Sequence, residues 1–224
     1  MNSAVLFDFG GTLDADGVAW KERFHRLFVS EGGPISPESF APVFYAADDA
    51  LVGKVAATLP LAGTVLRLAE GVAAALRPDD RTLGSRVAAR FLAESQASFE
   101  VNEPMLERLA RRHRLGIVSN FYGNLPTVCD NARVRKHFGV IVDSAQIGLL
   151  KPDPRIFLAA VEALGVGADR TVMVGDSLAR DMAGARAAGM AHIWLAPKPE
   201  RQGQPCCQGD RVIQSLRDVE EFLP

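Results

Sequence analysis

Five short, unbroken apolar runs punctuate this 224-residue chain, and each is followed within two residues by a small, polar or acidic residue. They are AVLF at 4–7, GIV at 116–118, VIV at 140–142, VMV at 172–174 and IWL at 193–195. A strand that is apolar on consecutive positions has no face to give to water. It must be covered on both sides, as in a parallel sheet packed between helices. The segments between several of the runs read as those helices. Ile156, Phe157, Ala160, Val161 and Leu164 share one helical face. Asp153 and Pro154 stand ready as N-cap and first residue, and Gly165 as the stop. Asn102, Glu103 and Pro104 are predicted to open a further helix that turns Met105, Leu106, Leu109 and Ala110 inward. The alternation from about residue 102 onward predicts a Rossmann-like, doubly wound α/β sheet.

The stretch between the first and second runs has a different period. Trp20, Phe24, Leu27 and Phe28, then Leu66, Ala69, Val72, Ala73 and Leu76, then Val87, Ala88, Phe91 and Leu92 all recur at helical spacing. The expected organisation is a core domain built from residues 1–14 and 100–224, with a helical insert at 15–99. Residues 196–210, rich in Pro, Gly and Gln, are expected to form a surface loop. A last short strand and a helix around Leu216–Leu223 should follow it.

Composition narrows the partners. With 48% hydrophobic and 23% charged residues the chain can bury a core. A formal net charge of -2 gives no sequence-wide attraction to nucleic acid or anionic lipid. No run is long enough to span a bilayer, and the N-terminal residues lack the basic start of a signal peptide. Cys129 and the vicinal pair Cys206 and Cys207 have no zinc-site spacing and read as reduced thiols. The expectation is a cytoplasmic monomer or homodimer with neither a nucleic-acid nor a membrane partner.

Ligands of open α/β sheets bind beyond the carboxyl ends of the strands, so chemistry is sought just after each run. There stand Asp8-Phe9-Gly10-Gly11-Thr12, Ser119-Asn120, Lys151 before Pro152, and Gly175-Asp176-Ser177 with Asp181 five residues past Asp176. Singly, each reads equally well as a cap or turn residue. Together they supply a carboxylate nucleophile, a hydroxyl and an ammonium for phosphoryl oxygens, and a second carboxylate for a hard cation.

LFDFGGTL, IVSN, LLKPDP and VGDSLARD resemble the four successive motifs of the haloacid dehalogenase superfamily, spread over nearly the whole core. The insert resembles the helical C1-type cap of that family's phosphatases, phosphonatases, mutases and dehalogenases. The resemblance implies a hydrolase of phosphate monoesters or acyl phosphates of small phosphorylated metabolites. In that reading Asp8 attacks phosphorus, and Mg2+ lies between the Asp8 carboxylate, the Gly10 carbonyl and Asp176. Ser119, Asn120, Lys151 and Gly11 bind the phosphate, Thr12 steadies the turn, and Asp181 supports the metal or orients Lys151.

One position departs from the pattern. Family phosphatases carry an acid/base Asp two residues after the nucleophile, where this chain has Gly10. Losing that group costs about 100-fold to 10,000-fold in rate unless another replaces it. Asp14 or Asp16 could substitute, although each also reads as a solvated turn residue. A substrate with a good leaving group would need no substitute. The small residue at 10 also resembles phosphonatases, which require a cap lysine, here Lys21 or Lys54. A phospholigand-binding protein without turnover is the non-enzymatic alternative. His25, His113, His137 and His192 match no motif, and Trp20 and Phe24 read as packing residues.

Overall fold

The computed structural model describes residues 3–196 and 211–223. Among the described residues six parallel strands form one sheet: β1 (Ala4–Phe7), β2 (Arg114–Ser119), β3 (Val140–Asp143), β4 (Thr171–Gly175), β5 (Ala191–Leu195) and β6 (Arg211–Ile213). Their order is β3-β2-β1-β4-β5-β6. The five apolar runs are five of these strands, and alternate residues of β1 explain why they had to be apolar throughout. Val5 and Phe7 join a core cluster on one face of the sheet, while Ala4 and Leu6 join the cluster on the other, and all four are fully buried.

Four helices lie between β1 and β2: α1 (Trp20–Gly32), α2 (Pro37–Asp49), α3 (Leu61–Leu76) and α4 (Leu83–Ala110). α5 (Leu125–Asn131) separates β2 from β3. The short α6 (Ser144–Ile147) and α7 (Pro154–Leu164) precede β4, and α8 (Ala183–Ala187) precedes β5. α7 follows its sequence signals closely. Asp153 caps it by accepting the Arg155 amide, Pro154 opens it, and Gly165 ends it in the left-handed region at φ 66°. The five predicted apolar residues of α7 form its buried face.

The helix expected to open at Asn102 does not. α4 runs through that point as one 28-residue helix with Pro104 in its interior. Asn102 does not cap but points inward and donates from Nδ2 to the Leu13 carbonyl at 3.2 Å. A proline in a helix interior costs about 3 kcal/mol. The buried stripe Phe91, Ser95, Phe99, Asn102, Met105, Leu106 and Leu109 continues on both sides of it and offsets that loss. The boundary expected at residue 100 therefore falls inside a continuous rod.

The predicted loop lies mostly outside the described residues, as do Cys206 and Cys207. The strand expected after it is β6, and the closing helix is a 3-10 segment, Leu216–Phe222. Among the described residues no helix is long and apolar enough to cross a membrane. The chain winds from β1 through β2 to β3 on one side, then returns to β4 on the other flank of β1. The β1 and β4 ends thus form a topological switch point, where the crossovers diverge and leave a crevice.

Candidate active site

Asp8 follows the last residue of β1, and its amide donates to the Val174 carbonyl of β4 at 2.9 Å, which fixes the carboxylate above the switch point. Ser119, at the end of β2, donates its hydroxyl to Asp8 Oδ1 at 2.8 Å. The Lys151 ammonium binds the same oxygen at 2.6 Å. It also contacts Asp181 Oδ1 at 2.6 Å and the Val118 carbonyl at 3.0 Å, so all three of its protons are directed. Asp176 lies just past β4 and accepts a long hydrogen bond from Thr12 Oγ1 at 3.3 Å. Residues separated by 143 positions in the case of Asp8 and Lys151 thus meet in one buried cluster.

Electrostatics shows what the cluster suits. One ligand oxygen from each of Asp8, Asp176 and Asp181 lies within 4.8 Å of the others, and Lys151 is the cation paired with Asp8 and Asp181. Burial, then the neighbouring Asp8 and Asp181 charges, hold Asp176 well above the usual carboxylate range. Burial likewise raises Asp181 against the opposing pull of Lys151. Lys151 is raised in turn: burial acts against its charge, and Asp181 and Asp8 overcome it. Three hard oxygen donors at this spacing, with negative charge in excess, suit a divalent oxygen-seeking cation.

The remaining predicted residues are placed less uniformly. Gly11 has φ +94°, and a Cβ there would come within 2.8 Å of the Asp176 carboxylate, so the position excludes any side chain. Its amide donates to Asp14 Oδ1 at 2.7 Å. Asn120 pairs with the backbone of Lys151, accepting its amide at 2.8 Å and donating to its carbonyl at 3.1 Å. Its side chain positions the lysine. Asp181 is 1% exposed, so it is no surface charge; its second oxygen accepts the Ser177 amide.

The candidates for the missing acid are both engaged. Asp14 is fully buried, not solvated. Besides the Gly11 amide it accepts Trp20 Nε1 and Arg23 Nη1, each at 2.8 Å, and Ser95 Oγ at 3.4 Å. The Asp16 carboxylate accepts the Leu216 amide. Trp20 does more than pack: it lines the cleft, and a Cβ built on Gly10 would sit 3.2 Å from its Nε1. The indole overlies the space that an acidic side chain at position 10 would enter.

A cleft of about 190 Å³ opens over this floor, walled by residues of α1 and α2 and by Phe121 and Tyr122 after β2. Sequence reasoning missed the buried Arg23, whose guanidinium also packs on Phe91 at 3.7 Å. It also missed Trp194, whose Nε1 holds the Asp176 carbonyl at 3.0 Å. Arg23 was readable: it lies three residues after Trp20, on the apolar face of α1. Trp194 gave no signal beyond its place in an apolar run.

A profile of haloacid dehalogenase-like hydrolases matches residues 3–189. A phosphoserine phosphatase of Thermus thermophilus is 36% identical over 88 residues, covering 39% of this chain and 35% of that protein. Haloacid dehalogenase-like hydrolase domain-containing protein 3 of Bos taurus is 40% identical over 111 residues, covering 50% and 41%. These matches span well under half the length of either relative. A phosphoglycolate phosphatase of Caulobacter vibrioides is 28% identical, with 97% of this chain and 89% of that protein covered. Among solved structures, a phosphatase of the same kind from Thermococcus onnurineus superposes with a TM-score of 0.58 at 23% identity, covering 99% of this chain and 97% of the other.

Proposed function

Because this chain belongs to the haloacid dehalogenase-like hydrolases, we propose that it is a Mg2+-dependent phosphohydrolase that transfers the phosphoryl group of small phosphorylated metabolites to Asp8 and then to water. The observation that carries the reading is the convergence of Ser119 Oγ and Lys151 Nζ on one oxygen of Asp8, with Asp176 and Asp181 beside it. Phosphatases among the relatives support a phosphate ester as substrate, and a cleft of about 190 Å³ supports a small one.

In this reading Asp8, Asp176 and the Gly10 carbonyl hold Mg2+, which when bound offsets the charge of the carboxylates and the phosphate. Lys151 and Ser119 hold Asp8 in one orientation and offer hydrogen bonds to the phosphoryl oxygens as charge moves onto them. Asp181 and Asn120 keep Lys151 in place, one at its ammonium and one at its backbone. Asp8 then forms the aspartyl phosphate, which water hydrolyses. We further propose that α1–α4 act as the cap that excludes water and selects the substrate, since α1 and α2 wall the cleft.

Of the two lysines that a phosphonatase would need, Lys54 is exposed and Lys21 places its ammonium over the Tyr45 ring at 5.5 Å. The test is phosphate release from p-nitrophenyl phosphate, acyl phosphates and sugar phosphates, with and without Mg2+, for wild type and Asp8→Asn. The expected result is Mg2+-dependent turnover that falls by at least about 1,000-fold in Asp8→Asn. Turnover that survives the substitution would overturn the proposal.

A further inference from the structure

The unexplained feature of the site is how a phosphohydrolase proceeds with glycine at position 10. An in-line displacement puts the leaving oxygen on the far side of phosphorus from Asp8. The strand ends and Lys151 occupy the floor around Asp8, so the leaving group must project into the cleft, toward the residues of α1 and α2. A replacement acid has to stand on that wall. Asp14 and Asp16 are held elsewhere by the bonds described above.

Asp48, near the C-terminal end of α2, lines the cleft and accepts a hydrogen bond from the Tyr122 hydroxyl. Tyr122 is 5% exposed and lies three residues past Ser119, the last residue of β2, so the contact ties α2 to the floor of the site. The other proton-bearing groups on the α1 and α2 wall are less suited. Lys21 is drawn over Tyr45, which is itself 49% exposed. We propose that Asp48 is the acid/base of this enzyme, supplied from α2 in place of a side chain at position 10, and that Tyr122 is its positioning residue.

The proposal rests on the phosphoryl-transfer reading of Asp8. As the bond from phosphorus to the leaving oxygen breaks and the Asp8 bond forms, the Asp48 carboxyl gives its proton to that oxygen and the alcohol departs. Water then attacks phosphorus of the aspartyl phosphate and gives a proton to the Asp48 carboxylate, which releases phosphate and restores the Asp8 carboxylate and the Asp48 carboxylic acid. Burial favours the protonated form that the first step needs. It raises Asp48 above the usual carboxylate range, with Asp49 adding to the effect and Tyr122 and Arg180 opposing it.

The experiment is rapid-quench kinetics on phenyl phosphate and p-nitrophenyl phosphate, which share a shape and differ in how much the leaving oxygen needs a proton. Wild type, Asp48→Asn, Tyr122→Phe and Asp8→Asn are compared. Asp48→Asn should slow first-turnover release of phenol by about 100-fold or more and release of p-nitrophenol only a few-fold. With p-nitrophenyl phosphate it should also show a burst near one enzyme equivalent, because the water step has lost its base. Tyr122→Phe should lower kcat on phenyl phosphate by a smaller factor with KM little changed. Equal losses on both esters, a rise in KM alone, or wild-type behaviour of Asp48→Asn would overturn the proposal. Turnover that survives Asp8→Asn would strike the phosphoryl-transfer reading itself, and this one with it.

Discussion

At Gly11 two constraints coincide, a positive φ and a carboxylate closer than any Cβ tolerates. Alanine there would meet both the backbone strain and the Asp176 oxygens. Gly11→Ala should cost about 1–3 kcal/mol of stability and displace Asp176. The expected outcome is a lower Tm together with a loss of activity that raised Mg2+ partly restores. An unchanged Tm in differential scanning calorimetry would show that the turn relaxes freely. This residue also marks the limit of sequence reading. That glycine stands here is visible in the motif, which led to the expectation of a phosphate contact; that its amide is bonded to Asp14 is not visible there. Nothing in the local sequence tells which acceptor a turn amide will find. Asp14 itself looked solvated because its partners come from Trp20, Arg23 and Ser95, up to 81 positions away.

Among the elements, the turn after β1 is joined to α1 and α4 through that one carboxylate. Arg23 of α1 binds Asp14 and reaches Ser95 Oγ at 2.9 Å and the Phe91 carbonyl at 3.0 Å, both on α4. Both charges are within 3% of complete burial. Removing one partner of a buried pair strands the other in a low dielectric, so Arg23→Met should destabilise by about 3–5 kcal/mol. Urea unfolding of Arg23→Met, Asp14→Asn and the double variant would measure the coupling. A double variant as stable as wild type would mean that the pair serves position and not stability. Helical periodicity revealed α1 and most of its buried face. It also placed Arg23 among the apolar residues without indicating why an arginine should be there. The opposite error occurred at α4, where Asn102 and Pro104 are good opening signals by themselves. The apolar stripe running past them decided the matter, because side-chain burial outweighs one lost backbone hydrogen bond.

At the level of the whole molecule, the excess negative charge of Asp8, Asp176 and Asp181 makes the fold and its proposed cation interdependent. Mg2+ that binds only the folded chain should stabilise it by about 2.7 kcal/mol at 100 times its Kd. Thermal unfolding with and without the metal should show that shift in wild type and not in Asp176→Asn; equal shifts in both would place the effect elsewhere. The parallel α/β sheet was legible because burial on both faces leaves its mark on consecutive residues. Of the candidate site, Asp8, Ser119 and Asp176 were legible because they stand just beyond those runs and Lys151 because it precedes a proline, whereas Asp48 and Trp20, on helices, carried no such mark.

The strand order carries one more consequence, for the making of the protein. β1 is synthesised before the other five strands but pairs at the centre of the sheet, with Ala4 opposite both Arg114 and Thr171. Its two neighbours are therefore distant along the chain, and loop-closure entropy must be overcome before either pairing is rewarded. During translation β1 must wait, apolar and unpaired, with the helices of residues 20–110 the first partners on offer. Asp8 belongs to that waiting segment, so the proposed nucleophile has no ammonium, hydroxyl or second carboxylate beside it until most of the chain exists. A nascent chain of this design holds the carboxylate proposed to react in reserve until the sheet closes around it.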